Sequence, residues 1–124
     1  MLPASAHVIG FIPTTDFRRA KAFYAGKLGL KLVSRDRFAL VFASGDTAIR
    51  VVKVPGFQPA GFTILGWRVD NLAASVAALA ARGVVFARFP GMQQDAAGIW
   101  TSPGGAEVAW FRDTDGNVLS LSSR

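Results

Sequence analysis

The sequence predicts an α+β fold in which one βαβββ unit occurs twice along the chain. Two similar segments indicate the repeat, because residues 9–12 (IGFI) lead to Asp16 as residues 65–68 (LGWR) lead to Asp70. The offset is 66 − 10 = 56 between the glycines and 70 − 16 = 54 between the aspartates, so the first copy carries two extra residues. After each helix that follows, the apolar periodicity changes from helical to alternating, which supports the same order of elements.

The two helices are predicted over residues 17–27 and 72–82. Asp16 precedes the first helix and Asn71 precedes the second. The side-chain oxygens of such residues accept hydrogen bonds from the free N–H groups of a first helical turn. Gly83 fits the left-handed position at which many helices end.

Three strands are expected after each helix, because apolar and polar residues alternate there in short runs between turn-forming residues. The predicted strands cover residues 30–33, 38–43 and 48–54 in the first copy, and residues 84–89, 107–112 and 118–122 in the second. Residues 113–116 (DTDG) are expected to form the tight turn of the last hairpin.

Two irregular segments interrupt the pattern. Residues 55–61 contain two prolines and two glycines, and we interpret them as a linker. The expected organisation is a single domain, residues 1–124, made of modules at about 6–54 and 62–124 and joined by that linker. Residues 90–105 include Trp100 and are expected either to cover a binding cleft or to form an ordinary surface loop.

The composition excludes several classes of protein. A chain of 124 residues that is 51% apolar is long enough for one packed domain. Its net charge of +6 is spread along the sequence, so nucleic acid is not an expected partner. The absence of cysteine excludes disulfides and thiolate chemistry. No apolar run is long enough to span a bilayer and no signal peptide is evident, so we expect no membrane partner and a cytoplasmic location.

Three short motifs occur in the order and spacing of a known family: residues 22–24 (AFY), 28–30 (LGL) and 113–117 (DTDGN). Together with the double βαβββ pattern, they resemble the vicinal oxygen chelate superfamily, which includes glyoxalase I, bleomycin-resistance proteins and extradiol dioxygenases. The resemblance covers nearly the whole chain. It implies that the two modules form a curved mixed-sheet cup that holds a ligand, and that the protein is a homodimer.

The same resemblance argues against the metal of the family's metalloenzymes, in which His and Glu side chains in the cup hold a divalent ion. The four corresponding positions fall on Ile64, on Ser120, on Arg50 and, according to where the two extra residues lie, on Ile9, Val8 or His7. The chain contains one His and one Glu, so no change of register assembles a His/Glu ligand set. We therefore expect no metal and no cofactor.

The residues expected to line the cup favour a different chemistry. Arg50 places a permanent cation among apolar residues, which indicates an anionic or carbonyl-bearing ligand, unless the side chain is exposed or pairs with Asp46. Five aromatic residues are candidates for the walls of a pocket: Trp67, Trp100, Trp110, Phe11 and Phe42. Core packing is the alternative interpretation for all of them except Trp100. His7 is a weak candidate for acid–base chemistry.

The leading hypothesis is a metal-free binding protein that takes up a small anionic or aromatic organic molecule without transforming it. The lining expected for it comprises Arg50, Trp67, Trp100, Ile64, Ser120 and His7. Two alternatives remain open: a metal-dependent lyase, isomerase or dioxygenase of the same superfamily, and a non-enzymatic regulatory module.

Overall fold

The computed structural model describes residues 1–123. Its contacts divide the chain into two compact units, Met1–Gln58 and Pro59–Arg124. The boundary lies inside the predicted linker. Each unit contains one four-stranded mixed sheet and one helical segment, which confirms the α+β class. No helix in residues 1–123 combines the length and apolar character needed to cross a bilayer.

The first unit follows the βαβββ order. Its elements are β1 (Ile9–Thr14), α1 (Phe17–Lys21), a π-helical segment (Ala22–Lys27), β2 (Lys31–Arg35), β3 (Ala39–Ser44) and β4 (Thr47–Lys53). The strand order across the sheet is β1-β4-β3-β2, with β1 parallel to β4 and the other pairs antiparallel. The last three strands lie within two residues of their predicted bounds.

Helix α1 begins where the sequence predicts, because the carboxylate of Asp16 accepts from the backbone N–H of Arg19 at 3.0 Å. The helical stretch runs to Lys27 as expected, but its second half is a π-helix rather than an α-helix. Phe23 and Tyr24 are buried, and the ring of Tyr24 lies 5.9 Å from that of Phe42 in β3. These contacts place the helical stretch on the face of the sheet that forms the core of this unit.

The second unit is built from β5 (Thr63–Arg68), α2 (Leu72–Ala81), β6 (Trp100–Thr101), β7 (Glu107–Arg112) and β8 (Val118–Ser122). Its sheet has the order β5-β8-β7-β6, with β5 parallel to β8. Asn71 caps α2 by accepting from the N–H of Ala74 at 3.0 Å, and Gly83 follows the helix with a φ of 90°.

The strand predicted over residues 84–89 is wrong. Only Phe86 forms an isolated bridge with Phe111, and the N–H of Ala87 donates to the carbonyl of Trp110. Two further backbone groups of this segment bond to the side chain of Gln94. Its Nε2 donates to the carbonyl of Ala87 at 2.8 Å, and its Oε1 accepts from the N–H of Phe89 at 2.8 Å. Because these backbone groups bond to a side chain, no ladder propagates.

The first of the three strands after the helix is instead β6, which lies inside the segment predicted to be irregular. Trp100 pairs with Val108 and Thr101 pairs with Glu107. The edge of β7 is therefore shared between the bridge at Phe86 and this two-residue strand. Trp100 lies in a strand and not in a loop, which corrects the expectation for that residue.

The last hairpin turns through the DTDGN motif, as predicted. Asp113 is only 7% exposed, and its Oδ1 accepts from the N–H groups of Asp115 and Asn117 at 2.9 and 3.0 Å. Its Oδ2 accepts from Nδ2 of Asn117 at 2.9 Å. Gly116 supplies the left-handed residue of the turn, with a φ of 89°. The motif thus fixes the register between β7 and β8.

Candidate functional site

The sheet of the second unit has one face packed in the core and one open face. Ala109, Phe111, Leu119 and Leu121 are buried, and helix α2 packs against β7 and β8 on their side. The alternate positions of the same strands project to the other side. Register places Gly66, Ser120 and Trp110 in one row across the open face, and Trp100, Val108 and Ser122 in the next.

Three aromatic rings and a cation cluster on this open face; we call Phe89, Trp100, Trp110 and Arg112 the aromatic platform. The ring centroids of Trp100 and Trp110 are 6.0 Å apart with planes inclined by 40°. Phe89 meets Trp110 edge to face at 5.5 Å, and the guanidinium carbon of Arg112 lies 5.7 Å from the centroid of Phe89. The three rings are half-buried, so part of each remains accessible to solvent.

A hydrogen bond fixes the orientation of the central ring. Nε1 of Trp110 donates to Oγ1 of Thr63 at 3.1 Å, which links β7 to β5 across the intervening strand β8. Because an indole N–H is a donor only, this bond determines which edge of the ring faces β5. The sheet therefore fixes the orientation of the Trp110 ring.

Ser120 lies beside the platform on the same face. It stands opposite Gly66 in β5, and its Oγ occupies the space that a Cβ at position 66 would need. The glycine thus makes room for the serine hydroxyl. Ile64 is half-buried at an irregularity in the pairing of β5 with β8, between Thr63 and Leu65, and has no register partner.

Trp67 does not belong to this group. It pairs with Leu121, which pairs with Ala109, and both of those residues are buried. Trp67 therefore lies on the core side of the sheet, opposite to Ser120 and Trp110. The structure does not bring Trp67 together with Ser120 and Trp110, and its expected contact with a ligand stays a prediction.

The first unit also has an open face, and Arg50 lies on it. Arg50 stands between Phe11 on β1 and Val41 on β3, whereas its neighbours Ile49 and Val51 are buried on the other side. Arg50 is half-buried, and it forms no salt bridge with Asp46 or any other residue among positions 1–123.

The charge of Arg50 has a small effect on one nearby carboxyl. The N–H groups of Phe38 and Ala39 hold the pKa of Asp36 below its usual value, and the charge of Arg50 adds a smaller effect in the same direction. Asp36 accepts from those two N–H groups at 2.7 and 2.9 Å. The Asp36 carboxylate therefore stabilises the loop between β2 and β3 by accepting hydrogen bonds from its backbone.

The register of the first strand, which the sequence leaves open, follows from the pairing. Phe11 stands opposite Arg50 in the first unit as Gly66 stands opposite Ser120 in the second. Ile9 is therefore the counterpart of Ile64. His7 precedes β1 and is exposed, so the strand does not present it on the sheet.

These positions do not fit the metal held by metalloenzymes of the resembled family. The four equivalent residues are Ile9, Arg50, Ile64 and Ser120, which supply no imidazole and no carboxylate. Within residues 1–123, no three His, Cys, Asp or Glu side chains lie close enough together to hold an ion. We derive no chemical step through a metal at these positions.

The ligand-lining set expected from the sequence omits three members of the platform: Phe89, Trp110 and Arg112. A usable signal existed for Trp110, because a hairpin centred on Asp115 places it opposite Ser120 (115 − 110 = 120 − 115 = 5). No comparable signal existed for Phe89, which reaches the platform through the Gln94 contacts rather than through a strand.

Comparison with known families decides the relationship. The model of the Glyoxalase/Bleomycin resistance protein/Dioxygenase superfamily matches residues 5–121. The chain belongs to this superfamily. The match confirms the resemblance inferred from the three motifs. No curated protein matches the chain in sequence.

Solved structures of the superfamily share the fold along nearly the whole chain. A bleomycin resistance determinant encoded on the transposon Tn5 has a TM-score of 0.76 and 24% identity, with 97% of this chain and 98% of that chain covered. A bleomycin-binding protein complexed with bleomycin has a TM-score of 0.75 and 24% identity, with coverages of 97% and 99%. TnmS3, an antibiotic binding protein from Streptomyces sp. CB03234, has a TM-score of 0.69 and 26% identity, with coverages of 98% and 97%.

Proposed function

We propose that this protein binds a small aromatic organic anion on the open face of its second sheet, without a metal and without transforming the ligand. The observation that carries the proposal is the aromatic platform. Three half-buried rings contact one another on the open face, with Arg112 beside the outer ring of Phe89. A flat apolar ligand that covers them removes their exposed surface from water.

The charge of the site favours an anion. Arg112 is exposed at the edge of the platform, and no carboxylate belongs to the cluster. A guanidinium has five donors in a fixed fork that matches a carboxylate. Ser120, in the same row as Trp110, offers a hydroxyl as a further polar contact. The net charge of +6 also disfavours a cationic ligand.

Solved structures with the same fold support the binding of a small molecule, but not a particular ligand class. A bleomycin-binding protein and an antibiotic binding protein share the fold, which supports uptake of a small organic molecule here. Fold similarity alone does not name the ligand. Arg50, half-buried on the open face of the first sheet and without a salt bridge in residues 1–123, offers a separate anchor for an anionic group.

A metal-free protein is part of the proposal, since Ile9, Arg50, Ile64 and Ser120 occupy the positions at which a His/Glu set is expected. Elemental analysis of protein purified without chelator tests this part separately. Less than about a tenth of an equivalent of zinc, nickel, manganese or iron is expected. A stoichiometric amount of any of them would favour a metal-dependent lyase, isomerase or dioxygenase.

A homodimer is also proposed. Strand β1 is an edge strand, and its apolar residues Ile9 and Phe11 are 50% and 62% exposed. Both side chains project from the same face of the sheet as Arg50, next to the sheet edge. Proteins usually cover an exposed apolar surface of this kind. Light scattering coupled to size-exclusion chromatography should give twice the chain mass of 13.2 kDa.

Naphthalene-2-carboxylate is a suitable probe for the ligand site. The chain has three tryptophans, so a ¹⁵N-labelled sample gives three indole N–H signals that serve as internal reporters. Titration is expected to shift the signals of Trp100 and Trp110 and to leave that of Trp67 in place, because Trp67 lies on the core side.

The neutral analogue naphthalene-2-carboxamide separates the two parts of the site. Arg112→Gln should lower the affinity for the carboxylate roughly tenfold and change the affinity for the carboxamide by less than about twofold. The reason is that a charge-assisted hydrogen bond is lost only for the anion. Equal effects on both ligands would remove Arg112 from the site. Binding that shifts only Trp67 would contradict the proposed face altogether.

A further inference from the structure

The positive charge of the protein resides in one half of the chain. Residues 1–58 contain nine Lys and Arg against three Asp, which gives 9 − 3 = +6. Residues 59–124 contain five basic and five acidic residues, which gives 5 − 5 = 0. The basic residues look evenly spread along the sequence, but the second unit is neutral. The field that attracts anions therefore originates in the first unit.

Part of this charge surrounds a groove of about 610 Å³ between the helical segment and β2. Arg18, Lys21 and Arg35 contribute three cations to its lining, and no acidic residue lines it. The remaining lining is apolar or small and comprises Phe17, Ala22, Ala25 and Gly26. A Cβ added at Gly26 would meet nothing within 4 Å, so the floor of the groove is open at this point.

The groove is separate from the open face that carries Arg50. Arg35 pairs with Leu40, and Leu40 pairs with Val51, so Arg35 lies on the same side of the sheet as these two buried residues. Arg35 itself is exposed at the end of that row. Arg50 projects from the opposite side of the same sheet. A ligand in the groove would therefore leave the open face of this sheet free.

The three cations of the groove have no ion-pair partner among the described residues. None of their side chains forms a salt bridge or a hydrogen bond with a residue in positions 1–123. Two of the three carboxylates of this unit accept hydrogen bonds from nearby backbone N–H groups. Asp16 caps α1, and Asp36 caps the loop before β3. Asp16 also lies 4.0 Å from Arg19, which is not part of the lining. The N–H of Arg19 is the main cause that lowers the pKa of Asp16, and the charge of Arg18 adds a smaller effect in the same direction.

A fourth cation lies at the edge of the groove. Nζ of Lys53 stands 5.2 Å from the centroid of the Phe17 ring, so Phe17 is in contact with charge from β4 as well as from its own helix. The π-helical segment supplies Ala22, Ala25 and Gly26 to the floor. Such π-helical turns are rare and occur frequently at functional sites.

We propose that this groove is a second binding site and that it takes a phosphorylated small molecule. The phosphate group contacts Arg18, Lys21 and Arg35, and the apolar part of the molecule lies on Ala22, Ala25 and Gly26. A phosphomonoester carries nearly two negative charges at neutral pH, which matches three cations better than a single carboxylate does. Guanidinium groups bind phosphate oxygens in pairs, and a lysine ammonium adds a point charge.

Phenyl phosphate and inorganic phosphate test the two parts of the groove in the intact protein by calorimetry. Phenyl phosphate is expected to bind roughly tenfold more tightly than inorganic phosphate, because its ring covers the small residues of the floor. Equal affinities, or no saturable binding of either probe, would overturn the proposal. In ¹H–¹⁵N spectra, the backbone signals of Ala22, Ala25 and Gly26 should move, and those of β7 and β8 should not.

Single substitutions localise the charge requirement. Lys21→Gln and Arg35→Gln should each lower the affinity for phenyl phosphate roughly five- to tenfold, because each removes one unpaired cation from the lining. Arg19→Gln is the matched control, since Arg19 lies on the same helix but bonds to Thr15 at 3.1 Å and pairs with Asp16. The affinity of Arg19→Gln for phenyl phosphate should stay within about twofold of that of the unmodified protein.

The opposite pattern identifies a different kind of surface. If a short DNA duplex bound more tightly than phenyl phosphate and Arg19→Gln weakened it as much as Lys21→Gln, the charge would act diffusely. That result would indicate a nucleic-acid surface on the first unit and overturn the small-molecule site. Binding of naphthalene-2-carboxylate at the aromatic platform is read out separately by the signals of Trp100 and Trp110.

Discussion

The indole rings of Trp100 and Trp110 lie 6.0 Å apart, on adjacent strands and on the same open face of the second sheet. Trp110 is the central ring, because Phe89 contacts it from another direction at 5.5 Å. Its Nε1 is fixed by Thr63. Trp100 is carried by a strand of only two residues. The pair therefore combines a fixed ring with one held by a much shorter element.

This difference makes Trp100→Ala an informative variant. Loss of the Trp100 ring should lower the affinity for naphthalene-2-carboxylate roughly tenfold. An aromatic contact and its buried area disappear, while Trp110 stays bonded to Thr63. Calorimetry gives the affinity, and the indole signal of Trp110 reports whether the bond to Thr63 persists.

Trp67→Phe is the control for that experiment. It changes a tryptophan on the core side of the same sheet, and the affinity should remain within about twofold of the unmodified value. An affinity unaffected by Trp100→Ala, with the protein folded, would show that the platform does not bind the probe.

The DTDGN turn should dominate the stability of the last hairpin. Asp113→Ala removes the acceptor for the N–H groups of Asp115 and Asn117 and for Nδ2 of Asn117. Asn117 is only 1% exposed, so water cannot readily replace the bonds that Asp113 provides. We expect a loss of about 2–4 kcal/mol in the free energy of unfolding, measured by urea denaturation.

Asp46→Asn is the matched control for the turn. Asp46 is exposed in the turn between β3 and β4, and its side chain has no hydrogen-bond partner among residues 1–123. Its substitution should change the free energy of unfolding by less than about 0.5 kcal/mol. A similar cost for both variants would mean that the buried bonds of Asp113 contribute little.

The sequence predicted those parts of the fold in which local chemistry and global packing agree. The DTDGN turn, the caps at Asp16 and Asn71, and the strands that flank the turns all follow from residues close in sequence. The strand prediction for residues 84–89 was wrong because backbone groups in this segment bond to Gln94, a residue beyond the predicted strand. A side chain that replaces a ladder is not visible in a pattern of alternation.

The candidate site was less predictable for a related reason. Trp67 and Trp110 are both strand tryptophans, but one position of register separates the core side from the open side. Residue type alone does not distinguish them. The hairpin turn fixes the register of Trp110, whereas the register of Trp67 depends on an irregularity at Ile64 that the sequence does not signal.

Asp36 should make stability depend on pH in the acid range. The N–H groups of Phe38 and Ala39, and to a smaller extent the charge of Arg50, hold its pKa below the usual 3.8 in the folded protein. A folded-state pKa below the unfolded one stabilises the protein above that unfolded value. The contribution is lost as the pH falls below 3.8 and through the folded-state pKa.

Two measurements check this prediction. The carboxyl signal of Asp36, followed by ¹³C NMR, should titrate below pH 3.8. The urea midpoint of the unmodified protein should exceed that of Asp36→Asn at pH 6, and the difference should shrink in strong acid. Arg50→Gln should raise the pKa of Asp36 only slightly, because the backbone donors act more strongly. A carboxyl that titrates above its usual value would contradict the assigned bonds.

Gly66 and Ser120 should be energetically coupled. In Gly66→Ala, the new Cβ meets Oγ of Ser120, so the serine must rotate away from its place beside the platform. We expect a cost of about 1 kcal/mol in the free energy of unfolding, because a rotatable hydroxyl yields more easily than a packed side chain. In a Ser120→Ala background the nearest obstacle is the backbone oxygen of Ser120 at 3.4 Å, which is ordinary contact. Most of the cost should then disappear, and a double-mutant cycle should give a coupling of roughly 0.5–1 kcal/mol. Purely additive effects would show that the glycine is needed for its backbone rather than for the serine it faces.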